Sequence, residues 1–130
     1  VSAKGRYGSA TVFIMRDDAH VLAVSRGEDV TDWGMPGGFL ERGETPADGA
    51  ARELAEETGL LVSPFDLRPI YEQGGCTTFE LAGQVTVLRR PMSSVPFEGH
   101  VAWVPLETIA SPQATFGRTN RTMLRDLGFL

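Results

Sequence analysis

The segment Gly38–Leu60, GFLERGETPADGAARELAEETGL, constrains the fold more than any other because it carries the signals for both ends of a helix. Thr45 is a good N-cap, Pro46 takes the first helical position where its missing N–H costs nothing, and Asp48 stands third, giving an approximate capping box. Gly59 suits the left-handed conformation just past a helix end, so the helix is expected over 46–58. Ala47, Ala50, Ala51, Leu54, Ala55 and Thr58 recur at helical spacing. They form a face that packs on the protein through small side chains. The opposite face carries Arg52, Glu53, Glu56 and Glu57.

Strands are expected on both sides of this helix. Ser9–Met15 and Val21–Ser25 are apolar or β-branched runs joined by a polar turn, which reads as a hairpin. Trp33–Leu40 holds Gly34, Pro36, Gly37 and Gly38 and reads as short extended pieces around a tight turn. Leu60–Leu67, Pro69–Gln73, Thr77–Leu88 and His100–Val104 read as further strands, with a turn at Gly74-Gly75 and a loop over 91–96. Leu106–Ala110 suits a helical turn and Asn120–Leu127 a C-terminal helix ending at Gly128. Strands flanking one long helix indicate an α+β or mixed-sheet fold.

The 130 residues suit one domain, 1–130, with 42% hydrophobic and 22% charged residues against disorder. No apolar run approaches the ~18 residues that span a bilayer. No membrane anchor or secretory signal is evident, so a cytoplasmic site is the default reading. Cys76 is the single cysteine, which excludes an internal disulfide and a thiolate metal site. The net charge of -5 argues against extended nucleic acid as a partner, since that binding rests on Lys and Arg neutralising phosphates.

Glu53, Glu56 and Glu57 lie at i, i+3 and i+4, which brings three carboxylates to one helix face within reach of a common point. Like charges so spaced cost an isolated helix about 0.2–0.5 kcal/mol per pair, and Arg52, four residues before Glu56, relieves only part of it. Such an oxygen-rich anionic site suits a hard cation, Mg²⁺ or Mn²⁺, that also grips phosphate oxygens. The cation would lower the pKa of a water while a carboxylate takes its proton. A merely solvated acidic face is the alternative reading of these three residues taken alone.

The residues around them decide between the two. Gly38 is followed after five residues by Glu44, and after seven more by Arg52-Glu53-Leu54, Glu56-Glu57 and Gly59-Leu60. This pattern resembles the signature box of the Nudix family at every fixed position, in its MutT-like form. The resemblance implies a Nudix-type α/β/α sandwich with a mixed central β-sheet. It implies that Glu53, Glu56 and Glu57 coordinate the divalent metal, that Glu53 serves as general base, and that Arg52 orients the glutamates with Glu44 as partner. Gly38 lets the loop turn close to the metal and offers a backbone carbonyl to it. Outside the box the likeness extends to Trp33–Gly38 and to Glu98 ahead of Trp103, and it implies that Glu98 is a further metal ligand or base.

The implied substrate is a small nucleotide compound with a diphosphate linkage, bound by a monomer or homodimer. Asn120, Phe79 and Trp33 are the candidate base contacts, with Trp103 beside them. A core position for the aromatics and an N-cap role for Asn120 are the alternatives. Arg6, Arg26, Arg89 and Arg90 are candidate phosphate contacts. The chain lacks the downstream proline spaced as in ADP-ribose hydrolases, which favours a nucleoside triphosphate, oxidised or not, over nucleotide sugars, ADP-ribose and dinucleotides. A nucleotide sensor without turnover is the non-enzymatic alternative.

Overall fold

The computed structural model describes residues 7–81, 86–87 and 99–130, which fall into two compact units. The first unit takes in residues 7–14 together with 36–81 and 86–87. It contains β1 (Ser9–Phe13), β4 (Gly37–Phe39), α1 (Pro46–Thr58), β5 (Leu60–Leu61), β6 (Leu67–Gln73), β7 (Cys76–Leu81) and β8 (Thr86–Val87). Four of its strands make a mixed sheet in the order β4-β1-β7-β6. The inner pair β1·β7 is parallel and the outer pairs β1·β4 and β6·β7 are antiparallel.

The helix begins and ends as its caps require. The Thr45 hydroxyl accepts the Asp48 N–H at 3.1 Å, and Gly59, at φ 77°, returns its N–H to the Ala55 carbonyl. Gly49, Ala50, Leu54 and Ala55 are the buried residues of α1, whereas Ala47, Ala51 and Thr58 are only half-buried, so the packing stripe is narrower than the alanine pattern implies. Leu54 is fully buried, and with Ala10, Val12 and Phe79 it belongs to the core of this unit. The sheet's long hairpin closes at Gly74-Gly75, with φ of 58° and 78°. Two positive φ values in a two-residue loop match the twist of the strands it joins.

Two local expectations are revised. Leu60–Leu67 is not one strand. It pairs at Leu60 and Leu61, then Ser63 accepts the Phe65 N–H and starts a short 3-10 turn over Pro64–Asp66, and Leu67 opens the next strand. The strands at Ser9 and Val21 do not form a hairpin. Asp17 accepts the N–H groups of Ala19 and His20, which closes the turn, but Met15↔Val21 is a single bridge, and β1 takes β4 and β7 as partners instead. The expected strand Thr77–Leu88 appears as β7 and β8, and the loop expected over 91–96 lies outside the described residues.

The second unit, residues 15–35 and 99–130, holds β2 (His20–Arg26), β3 (Asp29–Gly34), β9 (Val101–Pro105), α2 (Leu106–Ile109) and α3 (Gly117–Asp126). Its antiparallel sheet runs β3-β2-β9. The C-terminal helix starts at Gly117, three residues earlier than expected, where a side chain would collide with the Ser111 carbonyl. The α+β class and the mixed sheet read from the sequence are both present. Among the described residues no helix is long and apolar enough to cross a membrane.

Because Leu54 fixes α1 to the core, Leu54→Ala is expected to cost about 2–5 kcal/mol of stability. Denaturant titration followed by far-UV circular dichroism measures this directly.

Candidate active site

The first unit brings the acidic helix face against the loop that precedes it, and the result is a cluster rather than a solvated surface. Arg52 is its centre. Nε donates to Glu44 Oε2 at 2.7 Å and Nη2 to Glu44 Oε1 at 2.9 Å, a two-pronged fork. Nη1 donates to Glu53 Oε1 at 3.0 Å and to Glu56 Oε2 at 3.3 Å. Nη2 also reaches the Phe39 carbonyl at 3.3 Å. All five guanidinium N–H groups therefore have acceptors, and the head cannot rotate without losing several of them.

The loop supplies further contacts that reading the motif alone does not reveal. The Glu41 N–H donates to Glu44 Oε1 at 3.0 Å, and the Glu41 carboxylate stands 3.7 Å from Arg52 Nε. The Gly37 N–H donates to Glu57 Oε1 at 2.7 Å. Glu41 stands outside the fixed positions of the box, and a backbone N–H leaves no trace in side-chain spacing. The only available signal was that Gly37 sits one residue before Gly38 in a turn.

Gly38 meets Glu53 directly. A Cβ on Gly38 would lie 2.6 Å from Glu53 Oε1, so the bare backbone is what admits this carboxylate. Glu53 is largely buried, its side chain 18% exposed. Burial raises its carboxyl above the ordinary range, while Arg52 pulls the other way. Glu44 behaves oppositely, because the Arg52 hydrogen bonds hold its carboxyl below the ordinary range against the effect of burial. Two carboxylates that share one guanidinium are thus pushed apart in proton affinity.

Among the described residues, no three acidic, imidazole or thiolate side chains converge closely enough to enclose an ion. Glu53, Glu56 and Glu57 share a helix face as their spacing requires, but each is engaged with Arg52 or with Gly37 N–H. The donor set nevertheless fits a hard divalent cation. Its oxygens are carboxylate, and one guanidinium faces four glutamates, which leaves a surplus of negative charge for a cation to offset.

The candidate base contacts are placed differently from one another. Phe79 is 4% exposed in β7, a core residue of the first unit, as its alternative reading had it. Trp33 lies half-buried in β3 of the second unit, where its Nε1 donates to the Val30 carbonyl at 2.7 Å. Asn120 is neither an N-cap nor ahead of its helix. It is buried within α3, and Nδ2 donates to the Ile109 carbonyl at 2.9 Å, tying α3 to α2. The Trp103 ring carries the Arg16 guanidinium at 5.9 Å, and Arg26 reaches Thr115 Oγ1 at 3.4 Å. Glu98, Arg6, Arg89 and Arg90 lie outside the described residues.

A mixed sheet backed by a helix whose glutamates face a glycine loop is the arrangement of the Nudix fold. The family model described as NUDIX domain matches residues 5–127, and the chain belongs to the Nudix family. A MutT-like protein of Streptomyces ambofaciens is 44% identical over 59 residues, 45% of this chain and 38% of that protein. A protein of Bacillus subtilis (strain 168), provisionally named an 8-oxo-dGTP diphosphatase, is 40% identical over 50 residues, 38% of this chain and 33% of its own length. These matches cover well under two thirds of either relative. The crystal structure of a MutT protein from Bacillus halodurans aligns with a TM-score of 0.61 over 92% of this chain and 81% of that one, at 20% identity, which is a likeness of fold.

The lowered Glu44 carboxyl has a consequence for stability. A group whose folded pKa is depressed contributes fully above its unfolded value and loses that contribution as pH falls through the folded one. The gap in denaturation midpoint between the wild type and Glu44→Gln is therefore expected to be full at pH 7. It should shrink below about pH 4.3, near the unfolded glutamate value. A gap that does not change with pH would remove charge from the account.

Proposed function

We propose that residues 1–130 act as one domain that hydrolyses a diphosphate bond in a small nucleotide, with a nucleoside triphosphate, plain or oxidised, giving the monophosphate and pyrophosphate. The observation that carries this reading is the Gly38–Glu53 contact, which holds a buried carboxyl of raised proton affinity on a face of further glutamates. The continuous family match over 5–127 supports the single domain, and the name of the Bacillus subtilis relative supports the nucleotide class.

Glu53, Glu56 and Glu57 would hold Mg²⁺ or Mn²⁺, with Glu98 and the Gly38 carbonyl as further candidates. When bound, the cation supplies charge neutralisation for the phosphate oxygens. The chain's own residues do the rest. Arg52, gripped by Glu44, fixes the positions of Glu53 and Glu56 and prevents their mutual repulsion from splaying the face. Glu53, whose carboxyl burial raises above the ordinary range, would accept the proton of the attacking water. Its oxygens stand against the Gly38 backbone, so the site keeps one geometry. A sensor without turnover has no need of a base so held.

Glu53→Gln is expected to lower turnover of nucleoside triphosphates at least ~100-fold in Mg²⁺ or Mn²⁺ while leaving the fold intact. Unchanged turnover would take Glu53 out of the chemistry. Gly38→Ala tests the same contact from the other side. Its methyl displaces only the free end of a side chain, so the melting temperature should move little. A misplaced catalytic group should still cost about 100-fold in rate. A parallel loss of stability and rate would mean that Gly38 serves the backbone alone.

A further inference from the structure

One large apolar side chain of the first unit takes no part in its core. Phe65 is 98% exposed, the most exposed of the large hydrophobic side chains among the described residues. Its backbone is nevertheless held. Pro64 fixes the chain before it, the Ser63 hydroxyl accepts its N–H at 3.3 Å, and the Asp66 N–H returns to the Ser63 carbonyl at 2.9 Å. Val62 and Leu67, buried on either side, root this turn in the core. A ring presented to water on a fixed turn has already given up the backbone freedom that docking would otherwise take from it.

A solitary exposed ring is ordinary on a protein surface, but this one has a counterpart on the same edge of the sheet. β6 is the outermost strand of the order β4-β1-β7-β6, and an open groove of about 530 Å³ lies between it and the start of α1. Pro46 and Ala47 line it from the helix, Pro69 and Tyr71 from β6, and Phe79 from β7. Its hydroxyl groups from threonine are already engaged. Thr45 accepts the Asp48 N–H and so caps α1, and Thr77 donates to Glu72 at 3.3 Å. The Glu72 carboxylate gives the place a negative charge, which disfavours a phosphate compound. What the groove offers is apolar surface, and an apolar side chain suits it.

We propose that this edge is a self-association surface, on which Phe65 of one copy enters the groove beside Ala47 and Tyr71 of a second copy and receives that copy's Phe65 in return. The second copy is the occupant because the chain carries both halves of the contact along one strand. Phe65 stands two residues before β6 and Tyr71 lies within it. The two are therefore at most about 20 Å apart along extended chain. An antiparallel approach about a twofold axis near Arg68, midway between them, brings each ring to the other's groove, an isologous contact that closes at two subunits. Glu80 pairs with Arg68 inside its own copy, so the arginines near the axis meet neutralised. Pro69 has no N–H to offer, so the edges cannot zip into a continuous ladder and the contact rests on side chains. Two rings of about 150–250 Å² each, with the groove surface they cover, take roughly 600–1,000 Å² from water. That is the low end for a specific contact and implies a reversible dimer with a dissociation constant on the order of tens of micromolar. The association is independent of what the acidic cluster hydrolyses.

The test is sedimentation equilibrium of the full chain over a concentration series that brackets the tens-of-micromolar range, beside thermal melting of dilute protein. The wild type is expected to pass from monomer to dimer as concentration rises. Phe65→Glu and Ala47→Arg, each alone, should raise the dissociation constant at least about tenfold, the scale of removing an aromatic anchor or blocking its pocket. Mixed in equal amounts, the two variants should associate again. One contact of the heterodimer keeps Phe65 against Ala47, and the other sets the new carboxylate against the new guanidinium. Dilute Phe65→Glu should melt with the wild type, because the ring it removes is exposed. A wild type that stays monomeric throughout the series would overturn the proposal, as would a dimer that Phe65→Glu leaves intact. A mixture that remains monomeric would take the groove away as the partner of Phe65, and a lowered melting temperature of dilute Phe65→Glu would assign the ring to the fold, each against the proposal.

Discussion

The cluster depends on one guanidinium. Arg52 stands on the helix among glutamates of that helix and of the loop before it, and its five N–H groups join the two segments. Without it, Glu44, Glu53 and Glu56 would repel within a few ångströms, in surroundings where water screens them poorly. Because the fork to Glu44 is two-pronged, the loop cannot slide along the helix. Lysine, with a point charge and three donors, could not hold the same set of acceptors. The order of the loop and the order of the acidic face are therefore one property.

That order is useful only because the other side of the helix is equally fixed. Leu54, two positions from Arg52 and one from Glu53, is fully buried, and Gly49, Ala50 and Ala55 let α1 approach closely. The same turn of helix thus faces core and cluster at once. Gly38 completes the arrangement from the sheet, because β4 can carry its backbone up to Glu53 only with no side chain between. Burial then acts on Glu53 and raises its proton affinity, whereas the Glu44 carboxylate is held ionised by its fork. Two chemically identical groups on one short stretch acquire different roles from packing alone.

The legible parts of the sequence were those set by near neighbours. Thr45, Pro46 and Gly59 define α1 to the residue, the spacing of Glu53, Glu56 and Glu57 puts them on one face, and Gly74-Gly75 marks its turn. What could not be read depends on partners far along the chain. The strand at Ser9 had a polar turn after it and looked like half of a hairpin, but its parallel pairing with Cys76–Glu80 crosses more than sixty residues. Asn120 reads in the sequence as a base contact or an N-cap, and neither reading contains the Ile109 carbonyl that takes its amide, which is a product of how α2 and α3 pack. Glu41 leaves no mark in the motif because its contribution comes mainly through a backbone N–H.

Charge sets the terms on which the acidic face could meet a phosphate compound. The chain carries a net charge of -5, and around Arg52 alone four carboxylates answer one cation. A polyphosphate approaching such a place is repelled, and local Arg52 cannot help, since every one of its donors is already engaged. Divalent cations held there would reverse the sign but would discriminate nothing about a base, because every nucleotide presents them with the same oxygens. Selectivity must then come from neutral groups away from the cluster, where desolvation of an unpaired amide penalises a wrong base more than attraction rewards a right one. A cluster that met phosphate through cations held by its carboxylates would have no means there of telling one base from another, so any discrimination between bases falls to groups outside the cluster.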